Sequence, residues 1–442
     1  MISARQPFVC TSHTLRCYVS EPNTIKIAYS SSICNYICVV SRRFWLSRIS
    51  EAWQRHSIVS VIGARGVGKT KLALAAADSK MPARAWPGGG PDFLDCSAPA
   101  VRELLARPEA FLKSVSGRTL IVDQIGRLGN ASEFLELAAY RFPEVRILAT
   151  AAAAIGETPR KSALTPAWLA QQTPMPRTAS VWLTPMTMYD LEEAGVTDIR
   201  RRMLHGGLPE LLLAPEPPGA ASIEAWVDAF WARDVQEQFR LERGPQLRRL
   251  FAQLMAQSGG MFEAARLAKP CGASRTTISN YLAALESAFA VHVVRPYAGG
   301  GRAEIVSAPK VYGFDTAFVC HYRGATSLRP TDLGPLWEHL VLNELNAHVG
   351  RGPIRYWRTK HGTEIDFVLV RPGRLPVAVE CCWAAEEFQP TAMRSFRSAY
   401  PGGASFVVTA DTPDGRSYER EYGPLRVRFV SARDLVRMYQ GG

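Results

Sequence analysis

Eight residues constrain this chain more than any others: Gly63-Ala64-Arg65-Gly66-Val67-Gly68-Lys69-Thr70. They follow Ser57-Ile58-Val59-Ser60-Val61-Ile62, a short β-branched run suited to a buried parallel strand. Lys71-Leu72-Ala73-Leu74-Ala75-Ala76-Ala77, rich in strong helix formers, comes next. A strand, a glycine loop and a helix in that order give G-x-x-x-x-G-K-[ST] a mechanism. The glycines let backbone N–H groups turn inward around an anion, and the helix adds its positive end. Lys69 is placed to reach the outer phosphates and the Thr70 hydroxyl to ligate Mg2+. Gly63, Arg65, Gly66, Gly68, Lys69 and Thr70 are therefore the candidate nucleotide-binding residues, with ATP and Mg2+ as the expected ligands.

At 442 residues the chain is too long for one ordinary core and implies several domains. No apolar run approaches the roughly 20 residues of a membrane span; the sequence predicts no membrane association. A formal charge of +12 favours polyanionic partners such as duplex DNA, although an Arg-rich surface alone gives the same number. The nine cysteines lack paired metal spacing and no secretory signal is legible, so reduced thiols in a cytoplasm are expected. Residues 1–42 are Ser/Thr/Cys-rich and read as an unstructured extension without an assigned role.

Further strands follow the loop. Asp92–Asp95 comes after the break Pro87-Gly88-Gly89-Gly90-Pro91, Arg118–Asp123 ends in an acid, and Arg146–Thr150 supplies a fourth. The Arg118–Asp123 pattern is that of a Walker B strand, whose terminal Asp123 holds the Mg2+ water shell. Alternating strands and helices predict an α/β fold with a parallel sheet covered on both faces. A helix is predicted over Ile223–Phe239, with Trp226, Val227 and Phe230 as its core face.

Residues 247–312 fit a winged helix. Leu247, Leu250, Phe251 and Leu254 stripe a first helix, Met261–Ala268 gives a second, and Ser274 caps a third over Arg275–Glu286. Ile278, Leu282 and Leu285 turn inward, leaving Arg275, Thr276, Ser279 and Asn280 as candidate DNA contacts. Ala290–Arg295 and Glu304–Val306 read as wing strands around a Gly299-Gly300-Gly301 tip.

These landmarks resemble the bacterial and archaeal AAA-type P-loop ATPases that carry a C-terminal nuclease-like domain of unknown function. That family's loop tends to read G-P-R-Q-x-G-K-T, and this chain keeps Arg65. Its D-E-I-x-R element corresponds to Asp123-Gln124-Ile125-Gly126-Arg127, its G-G-x-P motif to Gly206-Gly207-Leu208-Pro209, and its R-D pair to Arg233-Asp234. Its P-K-x-Y-x-x-D segment corresponds to Pro309–Asp315. The resemblance implies an ATPase core over 43–187, a helical lid over 188–246, the winged helix over 247–325 and the nuclease-like domain over 326–442. It makes Arg233 and Arg177 candidate phosphate sensors, and it implies a homo-oligomer, because AAA proteins often form rings.

Two departures bear on chemistry. The family's glutamate that polarises the attacking water is Gln124 here, an amide that can orient a water but cannot take its proton. The sensor strand ends Ala149-Thr150-Ala151-Ala152, leaving Thr150 alone to read the γ-phosphate. With Lys69, Asp123 and Gln124 as the catalytic set, slow hydrolysis is expected.

The last domain resembles a restriction-endonuclease-like core. Asp366 and Glu380 on neighbouring strands, with Glu338 or Glu344 from the preceding helix, form a candidate metal site, degenerate because the lysine expected two places after Glu380 is Cys382. Lys360 is the residue the sequence offers in its stead. Three readings stand: an ATP-binding regulator coupling nucleotide state to DNA or partner binding, an ATP-dependent metal nuclease acting on DNA, and a vestigial ATPase serving as an interaction scaffold.

Overall fold

The structure, a computed structural model, describes residues 40–78, 92–152, 178–216, 218–235, 244–298 and 308–441. The expected extension before residue 40, the Pro87–Pro91 break, Arg177, the end of the helix predicted to reach Phe239, and the second wing strand with its glycine tip lie outside those residues. The chain divides into two compact bodies.

The first comprises the described parts of Met1–Ser60, Thr70–Thr150 and Arg177–Ala179. Its opening helix, Arg43–Trp53, buries Trp45, Ile49 and Trp53, a four-residue spacing that puts all three on one face. Five strands then build a sheet: β1 (Ile58–Ile62), β2 (Asp92–Asp95), β3 (Thr119–Asp123), β4 (Arg146–Ala151) and β5 (Thr178–Trp182), ordered β2-β3-β4-β1-β5. β2, β3 and β4 are parallel, and β1 and β3 are buried along their whole length, which accounts for their unbroken apolar runs. The register pairs Asp95 with Asp123, so two strands end in acids side by side. Helices Lys69–Asp78, Pro99–Leu105, Pro108–Ser114 and Ala131–Arg141 connect the strands.

The second body takes in the described parts of Val61–Lys69, Ala151–Pro176 and Ser180–Gly442. The two-residue strand β6 (Gly260–Met261), β7 (Val291–Pro296), β8 (Lys310–Gly313), β9 (Ile354–Arg358), β10 (Glu364–Leu369), β11 (Val377–Cys382), β12 (Ser405–Thr409), β13 (Tyr418–Tyr422) and β14 (Leu425–Val430) form one sheet. Its order is β13-β14-β12-β11-β10-β9-β7-β8-β6. β7 pairs antiparallel with β8, and its far end joins β9 in parallel through Arg295 and Pro296. The strands beside the three-helix segment thus continue into the sheet of the C-terminal segment. Helix Pro330–Val349 covers one face, packing Leu336, Leu340, Val341 and Leu345 among Tyr356, Phe367, Leu369 and Val379. Trp357, Ile365, Val368, Met393, Phe396 and Phe429 form a second cluster. An irregularity between Ile365 and Val368 interrupts the simple alternation along β10.

Two helices differ from the sequence expectation. The second of the three-helix set runs Ala264–Cys271, because Met261 is drawn into β6 against Lys310. The helix expected to run unbroken past residue 230 spans Ala220–Phe230 and then widens into a π-turn over Trp231–Val235. The G-G-x-P and P-K-x-Y-x-x-D segments meet: Gly207 N donates to Asp315 Oδ2 at 2.6 Å, while Asp315 Oδ1 caps the helix Thr316–Tyr322 by accepting from Ala317 N at 2.9 Å. Burial pushes the Asp315 carboxyl above its ordinary range, partly offset by Arg202.

Candidate functional site

The phosphate-loop residues up to Lys69 belong to the second body. Gly63 has φ 153°, and a Cβ there would lie 2.2 Å from the Leu183 carbonyl oxygen, so no side chain fits without moving backbone. The approach is fixed by Leu183 N, which donates to Ile62 O at 2.7 Å. Lys69 Nζ donates to the loop's own carbonyls, Gly63 O at 2.8 Å and Ala64 O at 2.7 Å.

Arg65 is held from the segment Ala220–Val235. Its Nε donates to Asp234 Oδ2 at 2.5 Å and its Nη2 to Oδ1 at 3.4 Å. The Trp226 indole N–H donates to Arg65 O at 3.2 Å, and the same indole nitrogen is the nearest neighbour a Cβ on Gly66 would meet, at 3.2 Å. Trp226 also stacks on Phe230 and Phe314, with centroids 5.1 Å and 4.9 Å away. Its core role agrees with the sequence; its bond to the loop carries no sequence signal, since the partner lies 161 positions earlier. In the Arg233-Asp234 pair the acid reaches the loop, while Arg233 is exposed.

Thr70, Asp123 and Gln124, also singled out by the sequence, lie in the first body. Thr70 Oγ1 donates to both carboxylate oxygens of Asp123, at 2.9 and 3.0 Å. Thr150 Oγ1 donates to Asp123 Oδ1 at 2.5 Å and accepts from Gln124 N at 3.0 Å. Asp123 is 2 % exposed. Gln124 adopts a left-handed conformation, φ 54° and ψ 41°, uncommon for a residue with a side chain. That geometry sends its amide towards Asp95, Nε2 to Oδ1 3.4 Å. Asp95 also accepts from Ser97 N and Oγ at 2.8 and 2.7 Å. The sequence marks Asp95 only as a strand-terminal acid; the parallel register is what brings it to Gln124.

The C-terminal acids Glu338, Asp366 and Glu380 lie near one another, and Glu338 is already paired. Glu338 Oε1 accepts from Lys310 Nζ at 2.9 Å and from the Tyr312 hydroxyl. The same ammonium donates to Glu364 Oε1 at 2.6 Å, and Arg358 Nη1 donates to Glu364 Oε2 at 2.6 Å. Burial opposes the charge on Lys310, but Tyr312 and the carboxylates of Glu338, Asp366 and Glu364 outweigh it and raise its pKa well above normal. Asp366 Oδ2 accepts from Cys381 N at 2.8 Å. Burial, with the neighbouring Glu338, pushes the Asp366 carboxyl up to about 7; burial and Asp366 push Glu380 well up. Among the described residues no group of three His, Cys, Asp or Glu side chains is placed to hold a metal ion.

Glu344, the other helix acid considered, is elsewhere: it accepts from Met188 N at 2.9 Å, and burial pushes it up to about 8. It lies six positions after Glu338, which on a helix turns the two side chains well apart. Lys360 is exposed in the turn between β9 and β10. Cys382 is held as a neutral thiol, its pKa pushed up to about 12 by burial and then by Glu380.

Helix Arg275–Ser287 begins at Ser274, whose Oγ accepts from Thr277 N at 3.1 Å. Ile278, Leu282 and Leu285 are buried; Arg275, Thr276 and Asn280 are exposed and Ser279 is half-buried. Ser279 Oγ donates back to Arg275 O at 3.2 Å.

Residues 196–329 match a family model described as a domain of unknown function (DUF8612), and residues 333–424 match another, also a domain of unknown function (DUF4143). Two curated relatives, the uncharacterized proteins Rv2008c of Mycobacterium tuberculosis and Mb2031c of Mycobacterium bovis, are each 26% identical over 389 residues. The match covers 86% of this chain and 82% of theirs. Among solved structures the chain is similar to the Walker-type ATPase Paby2304 of Pyrococcus abyssi, with 12% identity, TM-score 0.40, and coverage of 64% of this chain and 96% of that one. It is also similar to the RuvB Holliday junction branch migration motor of Thermotoga maritima, with 16% identity, TM-score 0.27, and 58% and 90% coverage. No helix among the described residues is long and apolar enough to cross a membrane.

Proposed function

We propose that this chain binds ATP with Mg2+, hydrolyses it slowly, and uses nucleotide state to control contact with duplex DNA or a protein partner. The observation that carries this reading is the bond from Thr70 Oγ1 to both oxygens of Asp123. It joins the last residue of the glycine loop to the acid ending β3, the pairing that Mg2+–nucleotide chemistry requires. Thr70 and Asp123 would hold the Mg2+, whose positive charge would help neutralise the phosphates when bound. The hydroxyls on Asp123 are neutral donors and suit that role, because they do not cancel its charge. Lys69 exchanges its bonds to Gly63 O and Ala64 O for bonds to phosphate oxygens.

Gln124 sets the rate. Its amide orients a water without removing the proton, so hydrolysis proceeds without a general base at that position. Coupling runs through Arg65: anything that moves the loop works against the Asp234 ion pair and the Trp226 hydrogen bond, both anchored next to the π-turn. The exposed start of helix Arg275–Ser287 supports a winged helix touching DNA, and the charge of +12 favours the same partner.

Calorimetric titration with ATP in the presence of Mg2+, beside Lys69→Ala, tests the binding. Loss of the heat in the variant supports the reading, and absence of binding by the unaltered protein overturns it. Turnover measured with and without duplex DNA then separates a regulated ATPase from a passive scaffold.

A further inference from the structure

We propose that the Lys310 ammonium occupies the cation position of the C-terminal acidic cluster, a tethered counter-ion standing where a restriction-endonuclease-like site would take a divalent metal. Lys310 sits on β8, between Pro309 and Val311, and is 4 % exposed. Its Nζ lies 2.9 Å from Glu338 Oε1 and 2.6 Å from Glu364 Oε1, with the Tyr312 ring centroid 5.3 Å away. Arg358 neutralises the outer oxygen of Glu364 at 2.6 Å, and the Tyr312 hydroxyl takes a place on Glu338. Two carboxylates therefore face two fixed cations, and this part of the cluster carries no net charge.

A divalent ion would have to expel the ammonium from a buried position, leaving Lys310 without the bonds that compensate its burial. Charges taken out of water persist only when paired, so that exchange is strongly opposed. The lysine absent at Cys382 is not restored as a catalyst by Lys310. Its bonds to Glu338 and Glu364 engage the ammonium in holding the acids rather than a phosphate. The residues present do not fit a metal nuclease. This inference is independent of the ATP reading, which a Lys69→Ala titration tests separately.

The test uses the full-length protein, stripped of metal and free of nucleotide, with Mn2+ as the probe. Mn2+ uptake is followed by electron paramagnetic resonance for the unaltered chain and for Asp366→Asn. Equal uptake supports the proposal; uptake by the unaltered chain that disappears in Asp366→Asn overturns it. In Lys310→Met the melting temperature is expected to fall by about 10 °C, and Mn2+ to recover part of the loss by filling the place vacated. Lys310→Met melting like the unaltered protein, with no response to Mn2+, overturns the proposal. Should Lys310→Met fail to fold, the Asp366→Asn comparison decides alone, since neither of its chains is altered at residue 310.

Discussion

Asp123 is buried and Glu338 half-buried, and the two acids are held by opposite means. Asp123 receives hydroxyls, from Thr70 and Thr150, and both donors are neutral. Glu338 receives the ammonium of Lys310 and the hydroxyl of Tyr312. A hydroxyl satisfies a lone pair and leaves the charge available to a ligand; an ammonium satisfies the lone pair and cancels the charge. Acids in two bodies of one chain thus differ in what they can do next. In the bonds described, the first kind is held by neutral donors and the second by a charged one.

The contrast predicts that substitutions in the two places fail differently. Lys310→Met should cost the most stability, about 3–5 kcal/mol in a denaturant titration, because it leaves two half-buried carboxylates without their shared ammonium. Adding Glu338→Gln to that variant should recover part of the loss. A loss no larger than that of an exposed lysine would show that the cluster is open to water and break the comparison.

Asp123→Asn should do the reverse. Folding stability stays within about 1 kcal/mol, since the amide keeps the shape, whereas Mg2+-dependent ATP affinity falls by about a hundredfold, the size of one strong charge-assisted contact. Calorimetry with and without Mg2+ reads the second effect, and unchanged affinity would remove Asp123 from the site.

Gln124→Glu comes next, with ATP turnover expected to rise about tenfold as a general base is supplied. The gain is limited by Asp95, whose Oδ1 lies 3.4 Å from the Gln124 amide and would repel a carboxylate placed there. Gln124→Glu with Asp95→Asn should therefore turn over faster than Gln124→Glu alone. Equal rates would exclude Asp95 as the brake.

The smallest effect concerns pH. Glu344 has its pKa raised from 4.5 to about 8 by burial, so the folded chain keeps a proton that the unfolded chain releases. Stability from this group is full below about pH 4.5 and is lost as pH rises towards 8. Glu344→Gln cannot ionise and should flatten that decline, gaining stability on the unaltered protein as pH rises from 5 to 8. An unchanged slope would place the ionisation elsewhere.

The glycine loop and the acid ending β3 were legible because each is written in local spacing, whereas Thr150 was singled out by the family resemblance of its strand end. A glycine loop follows its strand directly, and an acid closing an apolar run marks a strand end. Parallel register then brings those ends together without further instruction. The Lys310 cluster was not legible in the same way. Its partners lie 28 and 54 positions away and meet only after β8, β10 and a helix have packed. One signal was present: a lysine flanked by Pro309, Val311 and Tyr312 is a charge inside a segment otherwise fit for burial. The break at Trp231 was also hidden, since Trp231-Ala232-Arg233-Asp234-Val235 contains nothing that forbids an ordinary helix; the structure supplies the π-turn without a residue to blame.

The parallel seam between β7 and β9 has a practical consequence for anyone dissecting this protein. It consists of two register positions, Arg295 with Arg355 and Pro296 with Tyr356, yet it is the join between the strands of two successive segments. A truncation placed near residue 325 would leave β9 as a raw border, offering its unsatisfied amides and carbonyls to any neighbouring chain. Fragments cut there should precipitate or pair with themselves, whereas a piece running from residue 180 to the end keeps that border covered.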